Sequence, residues 1–463
     1  MNRHAAALSL ALLISSGASG HTLLAQDFLD AYRAPATRLI AESQSSDFGW
    51  NRLAELTDTF GPRITGSTNL ERAIAWAAAE MKKDGLEVRT ETVMVPHWVR
   101  GHEQLDMIAP AEQPMAVLGL GGSVGTSERG PGSPGSIEAR VLVVSSFDDL
   151  TAKAADAKGR IVLFNVPYTN YGRTVAYRTG GASAAAKAGA VAALVRAVGP
   201  TGLRTPHTGI MEYADGVARI PTAAIPAEDA DRLQRLQDRG VETVLRLRMD
   251  ATSLPLAESA NLIGEIRGRE RPEEIVLVGC HFDSWDVGTG ASDDAVGCIV
   301  TWEALRLISK LGLEPRRTIR LVLWTSEENG IHGGAAYAKA HAAEAAQHVL
   351  ALESDSGVFE PASIGLSGSD AARAVMTRVM SLLAPLGLEK LGPGGGGADI
   401  GPIAAAGGVP TMSYNGDSAK YFTIHHSPAD TIDRIAKAEV SKAAAAIAVI
   451  TFVTADMPER LPR

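Results

Sequence analysis

Two cysteines in 463 residues, Cys280 and Cys298, are too few for a disulfide-scaffolded fold. One closes a strand and the other sits in the helix that follows, so they read as small buried apolar residues rather than as a bonded pair. Beyond the N-terminus no apolar run reaches the ~18 residues that a membrane-spanning helix needs. Positive charge is also short: 44 Lys and Arg against 53 Asp and Glu leave a net charge of −9, which gives no reason to expect nucleic acid or an anionic membrane as a partner. No internal repeat is present. Residues 121–125 match G-x-S-x-G, but a Gly/Pro-rich loop follows where a nucleophile elbow needs a helix. Residues 392–397 (GPGGGG) lack the Gly-Lys-Ser/Thr ending of a P-loop, and such a loop is better suited to presenting backbone N–H groups to a carboxylate.

What is present begins with Arg3, an apolar run over 5–14 and small residues at Ala18-Ser19-Gly20, the pattern of a secretory signal. Residues 1–25 are therefore expected to be removed, leaving a secreted or periplasmic protein with no membrane anchor. The rest is too long for one hydrophobic core, which saturates near ~250–300 residues, so two domains are expected. Residues 27–46 read as a pro-segment or an arm packed on the body. Helices follow over 48–60 and from the Thr68-x-x-Glu71 capping box to Lys83, then a strand over 86–95 closed by Pro96. The Gly, Ser and Pro-rich stretch 119–135 marks a junction. Beyond it, strands over 137–144, 161–166 and 241–249 and an Ala-rich helix over 182–196 carry no ligand pairs. Residues 119–252 are read as an inserted α/β domain, and 26–118 with 253–463 as the main one. In the second half strands and helices alternate, which predicts an α/β fold with a mostly parallel, doubly wound sheet.

The chemistry gathers at the ends of those strands, where open α/β sheets place their ligands. The apolar run 275–278 delivers His281 and Asp283, then a Gly-rich loop, then Asp293 and Asp294. The run 318–325 stops at Ser326-Glu327-Glu328. Residues 348–352 lead to Glu353 and Asp355, and near the end His425 and His426 precede a Ser-Pro turn. Each alone is ordinary, since Asp-Asp before a helix is usually a cap. Four together suit a pair of cations sharing one bridging carboxylate, with His281, Asp293, Glu328, Asp355 and His426 as ligands. Imidazole with carboxylate favours zinc, and such a site also accepts manganese or cobalt. Asp283 is placed to orient His281. Glu327 is left free to act as general base.

The segments HFDSWDVGTGASDD, WTSEENG, ESDSG and HHSPADT resemble the co-catalytic di-zinc exopeptidases, the family of bacterial leucyl aminopeptidases, glutamate carboxypeptidase and carboxypeptidase Q, and they look most like the last. The resemblance implies the zinc exopeptidase fold with an inserted protease-associated domain. It implies two zinc ions on the five residues named, Asp293 as the bridge, Glu327 as base, Asp283 as orienter and a cis peptide between Asp293 and Asp294. It also implies hydrolysis of dipeptides or terminal residues of short peptides by a hydroxide held between the ions, and a homodimer. His426 is preferred to His425 because the family's ligand directly precedes the Ser/Thr-Pro-x-Asp turn. Ala398-Asp399-Ile400 departs from the Ser-Asp-His of many aminopeptidase relatives. His207 and His332 read as packing or surface residues. The rival readings are a glutaminyl cyclase holding one zinc and an inactive receptor or binding module on the same fold.

Overall fold

A computed structural model describes residues 20–127 and 135–463. The expected signal segment, 1–25, lies largely outside the described residues. The helix Gly20–Gln44 packs as an arm on the main body: Leu29, Tyr32, Leu39 and Ile40 are buried in the main core, and Tyr32 donates to Asp456 Oδ2 at 3.1 Å. The helix Thr68–Lys83 begins at the expected residue, but the cap is Ser67, whose side chain accepts from Leu70 N.

The main sheet runs Glu87–Val99, Thr252–Ile266, Arg317–Trp324, Arg271–His281, His348–Ser354, Thr411–Asn415, Ser363–Ser367, Leu391–Pro393 in spatial order. Its four central strands, from Arg317–Trp324 to Thr411–Asn415, are mutually parallel, and antiparallel pairs flank them on both sides. Parallel strands buried on both faces need near-continuous apolar runs, and Ile275–Val278 with Ile319–Trp324 supply them. Arg317 and Arg320 lie within this layer because each is paired, Arg317 to Glu274 at 2.5 Å and Arg320 to Glu265.

Helices Val296–Lys310, Lys437–Asp456 and Phe48–Phe60 cover one face, and His332–Ala340 with Gly401–Gly407 the other. Burying a large apolar side chain contributes about 1.5–3 kcal/mol, which is why Trp302 and Leu305 anchor the first of these. Contrary to the sequence reading, Lys437–Asp456 is long and apolar enough to cross a membrane, but its apolar surface is spent on the core, where most of it is buried.

A second sheet runs Gln113–Met115, Glu103–Ala109, Val244–Met249, Ile137–Val144, Ile161–Phe164, Ala192–Arg196, Thr222–Ile225, Leu118–Gly119. The chain therefore enters this body at Glu103, upstream of the Gly-rich stretch at 119. A long antiparallel ribbon, Glu87–Val99 against Thr252–Ile266, carries the chain between the two bodies. Contrary to expectation, Pro96 does not close its strand; the ladder shifts register between Val95 and His97 and continues. The Ala-rich region also resolves differently, into the helix Tyr171–Lys187 and the buried strand Ala192–Arg196. A short apolar run does not by itself distinguish helix from strand.

Candidate metal centre

Four parallel strands end on one edge, and each delivers part of a single cluster. His281 is the last residue of its strand. Asp293 lies in the segment Ala291–Ala295 that opens the helix Val296–Lys310, and the peptide between Asp293 and Asp294 is cis, as expected. After Trp324 the chain turns through Ser326, whose φ of +62° is left-handed, and presents Glu327 and Glu328. Asp355 follows the strand His348–Ser354, and the helix Ser418–Ile424 leads to His425 and His426.

The structure brings all five expected ligands together around Asp293. Its Oδ1 lies 3.0 Å from His281 Nε2, which is also 3.4 Å from Asp355 Oδ1. Its Oδ2 faces the other way, 3.2 Å from His426 Nε2, which in turn is 3.0 Å from Glu328 Oε2. Two donors on one tetrahedral zinc ion stand roughly 3.3–3.6 Å apart, so these spacings are close to those of ligands sharing an ion. Asp293 Oδ2 and Glu328 Oε1 are buried without an aligned hydrogen-bond donor, the state of oxygens that a cation would satisfy. The residues present therefore fit two cations.

Both histidines have their second nitrogen engaged. Nδ1 of His281 lies 2.9 Å from the Asp283 carbonyl oxygen, and Nδ1 of His426 lies 3.2 Å from the Thr208 carbonyl. That arrangement aims each Nε2 at the carboxylates. Asp283, expected to orient His281, meets that ring's Nδ1 through its main-chain oxygen. Its buried carboxylate accepts instead from Glu327 N at 3.0 Å, Glu328 N at 3.3 Å and Thr65 Oγ1 at 3.0 Å, fixing the Glu-Glu turn. His425 stacks on His426 at 3.5 Å between ring centroids and brings Nε2 to 3.5 Å from Asp293 Oδ2, close enough for Asp293, His425 and His426 to offer atoms within 4.8 Å of one another. His426 touches both Asp293 and Glu328 and completes the second half of the cluster.

Electrostatics follow from crowding acids in a dry place. Burial pushes Glu327 well above the ordinary carboxylate range, with Asp355 and Glu328 adding to it, and burial likewise raises Glu328 and Asp355. Asp293 goes the other way: against the effect of burial, His281 and His426 hold it well below that range. Burial pushes His425 well down, and the neighbouring His426 adds to this. Beneath the cluster, Asp294 accepts from His281 N at 3.2 Å, and Glu353 accepts from Ile400 N at 2.9 Å. The N–H groups that meet the Glu353 carboxylate belong to Asp399 and Ile400, just past the glycine loop expected to supply them; within the loop Gly395 N donates to Ser367 Oγ instead, and Asp399 is buried with Oδ1 accepting from Gly334 N.

Cys280 and Cys298 form a disulfide, where sequence favoured two thiols. Strand and helix pack closely enough to bring their Cα atoms to 5.0 Å, a spacing that sequence cannot supply.

A cavity of about 350 Å³ opens over the cluster, lined by Asp293, Glu327, Asp355 and His426 from the main body and by Tyr171, Arg178 and Ile210 from the second. Sequence reading missed the second body's share, because Thr208 contributes through its backbone and leaves no signature. It also missed Arg63, fully buried after Gly61-Pro62, which donates to the carbonyls of Phe282, Thr289 and Gly290 and so holds the loop between His281 and Asp293. His207 is a packing residue, buried against Gly199.

The model for peptidase family M28 matches residues 261–451. Carboxypeptidase Q of Homo sapiens is 47% identical over 426 residues, 92% of this chain and 89% of the human protein. The Mus musculus protein of that name is 48% identical over 415 residues, covering 89% and 87%. A crystal structure of a peptidase M28 precursor from Shewanella amazonensis SB2B superposes with a TM-score of 0.88 at 35% identity, covering 94% of this chain and 99% of that one. The zinc aminopeptidase BSAP of Bacillus subtilis shares the fold, with a TM-score of 0.68 at 21% identity over 89% and 96% of the two chains. Identity of that extent along nearly the whole sequence means that the chain belongs to peptidase family M28 and is a zinc metallopeptidase.

Proposed function

We propose that this metallopeptidase is a two-zinc exopeptidase, secreted or periplasmic, that hydrolyses dipeptides or removes terminal residues from short peptides. The observation that carries the reading is Asp293, whose two oxygens face two separate histidine and carboxylate pairs. His281 and Asp355 would hold one ion, His426 and Glu328 the other, and Asp293 both. When bound, the ions supply Lewis acidity, acidifying water and polarising a carbonyl.

The remaining work falls to side chains. Glu327 lines the cavity, and its turn is anchored by the Asp283 carboxylate. Its carboxylate takes a proton from water and passes it to the leaving amine. The small cavity, at the lower end of the ~300–1,000 Å³ usual for ligand pockets, suits a short substrate. The export signal over residues 1–25 supports release from the cytoplasm, and kinship with carboxypeptidase Q supports a homodimer, which light scattering on the purified protein would measure.

Turnover of free dipeptides, C-terminally amidated dipeptides and aminoacyl anilides, before and after chelation and after zinc is restored, tests the reading. Chelator-sensitive cleavage of at least one class with two zinc ions per chain is expected. A single ion with cyclisation of N-terminal glutamine and no cleavage would replace it with the cyclase reading. Partner binding that survives chelation, with no hydrolysis beforehand, would replace it with the binding module.

A further inference from the structure

The two halves of the metal centre are supported differently. His281, Asp355, Asp293 and the carbonyl behind His281 all belong to the main sheet and its loops. His426 is backed by the other body: Thr208 N donates to the His426 carbonyl at 2.9 Å, and the Thr208 carbonyl is the 3.2 Å partner of His426 Nδ1. His426 has a left-handed φ of +57°, which a histidine keeps only where its surroundings fix it.

Arg178 fixes those surroundings. From the helix Tyr171–Lys187 it donates through Nε to the Ile210 carbonyl at 3.2 Å, through Nη1 to the Thr208 carbonyl at 3.4 Å and through Nη2 to Tyr171 Oη at 2.8 Å. Nη1 is also 3.4 Å from His426 Nδ1. The guanidinium is buried and fills the space beside Gly209, where φ is +137° and a Cβ would come within 2.3 Å of Arg178 Cζ. Arg178 thus clamps residues 208–210 from behind while those residues clamp His426.

We propose that Arg178 is a positioning residue for one half of the centre only: by holding residues 208–210 against His426 it makes the His426 and Glu328 subsite depend on docking of the second body, while the His281 and Asp355 subsite stands without it. The two ions should therefore bind unequally, and the second body should govern the weaker one. This rests on the two-ion reading above.

Zinc content after dialysis against buffered zinc, and calorimetric titration of the metal-free protein with zinc, are the measurements. Wild type should bind two ions. Arg178→Ala should keep one ion at wild-type affinity and bind the other roughly 10- to 100-fold more weakly, the usual cost of losing an orienting partner, with turnover recovered by excess zinc. Tyr171→Phe removes a single acceptor from the arginine and should shift the same ion in the same direction by a few-fold. The retained ion shows that the variant is folded. Two ions at wild-type affinity in Arg178→Ala, or equal weakening of both, would overturn the proposal. So would intact metal binding with a selective loss of free dipeptides against amidated ones, which would make Arg178 a substrate-carboxylate clamp. Fewer than two ions in wild type would instead sink the two-ion reading, and this proposal with it.

Discussion

The Asp430 carboxylate grips the backbone on which Asp293 stands: Oδ2 accepts from Asp293 N at 3.1 Å and Oδ1 from Ser292 N at 2.7 Å. The last residue of the HHSPAD segment thus sets the position of a carboxylate more than 130 positions earlier in the chain. Asp430→Ala removes two charge-assisted bonds and should weaken zinc binding roughly 10- to 100-fold. Asp430→Asn keeps one acceptor and should fall between. Zinc titration of both variants checks this, and unchanged affinity in Asp430→Ala would show that the backbone needs no such grip.

Glu327 touches none of the expected ligands' backing groups except through its amide, so its carboxylate can be lost without dismantling the centre. Glu327→Gln is expected to lower kcat by roughly 10²- to 10⁴-fold, the range for a general base. Zinc content and competitive-inhibitor affinity should stay at wild-type values. Near-normal turnover would remove Glu327 from the mechanism.

The disulfide closes a loop of 18 positions that contains both His281 and Asp293. Constraining a loop of that size in the unfolded chain is worth about 3 kcal/mol. The double variant Cys280→Ala, Cys298→Ala should lose that much stability in denaturant melts of the zinc-loaded protein. A free-thiol assay on unfolded wild type should find no thiols; two would mean that the pair is not bonded.

The cluster was legible because its side chains sit at the ends of apolar runs whose length and composition mark buried parallel strands. His281, Glu328 and Asp355 could be placed on one edge from that pattern alone. The support around them was not legible, for a physical reason in each case. Thr208 and Asp283 act on the histidines through carbonyl oxygens, which every residue has. Arg63 and Arg178 are charged residues that only the fold shows to be buried. The strand Glu103–Ala109 was missed because its sheet assignment depends on pairing with Val244–Met249, far along the chain. Residues 182–196 were read as one helix because alanine suits a helix, yet packing places Ala192–Arg196 between two buried strands.

His348 gives the folded protein an acid limit independent of the metal. It is buried with Nε2 3.0 Å from Tyr337 Oη, and burial, with Arg320 and His341 nearby, pushes its pKa down to about 4. The unfolded chain binds this proton near pH 6.5 and the folded chain only near 4, so acidification through that window favours unfolding. Stability should fall by up to about 3 kcal/mol as pH drops from 6.5 to 4. His348→Asn should flatten that part of the curve while lowering stability at pH 7, and an unchanged slope would place the titration elsewhere.

Gly297 separates packing from helix propensity by the sign of its effect. In the first turn of Val296–Lys310, a Gly→Ala change should stabilise by up to about 1 kcal/mol if propensity decided. A Cβ there, however, would lie 2.0 Å from the Ser354 carbonyl and 2.2 Å from Asp294 Oδ1. Neither neighbour can yield cheaply, since Ser354 is in a central strand and Asp294 is tied to His281 N and Gly297 N. Relief requires the helix to move off the strand end, which carries Asp293 away from Asp355. Overpacking costs of about 1–3 kcal/mol or more outweigh the propensity gain, so Gly297→Ala should lower the melting temperature and weaken zinc binding together. Gly172→Ala, where a Cβ would meet Asn170 Oδ1 at an unstrained 3.8 Å, is the control and should be neutral or slightly stabilising. If both variants behave alike, the close approach of helix and strand is not what fixes the centre.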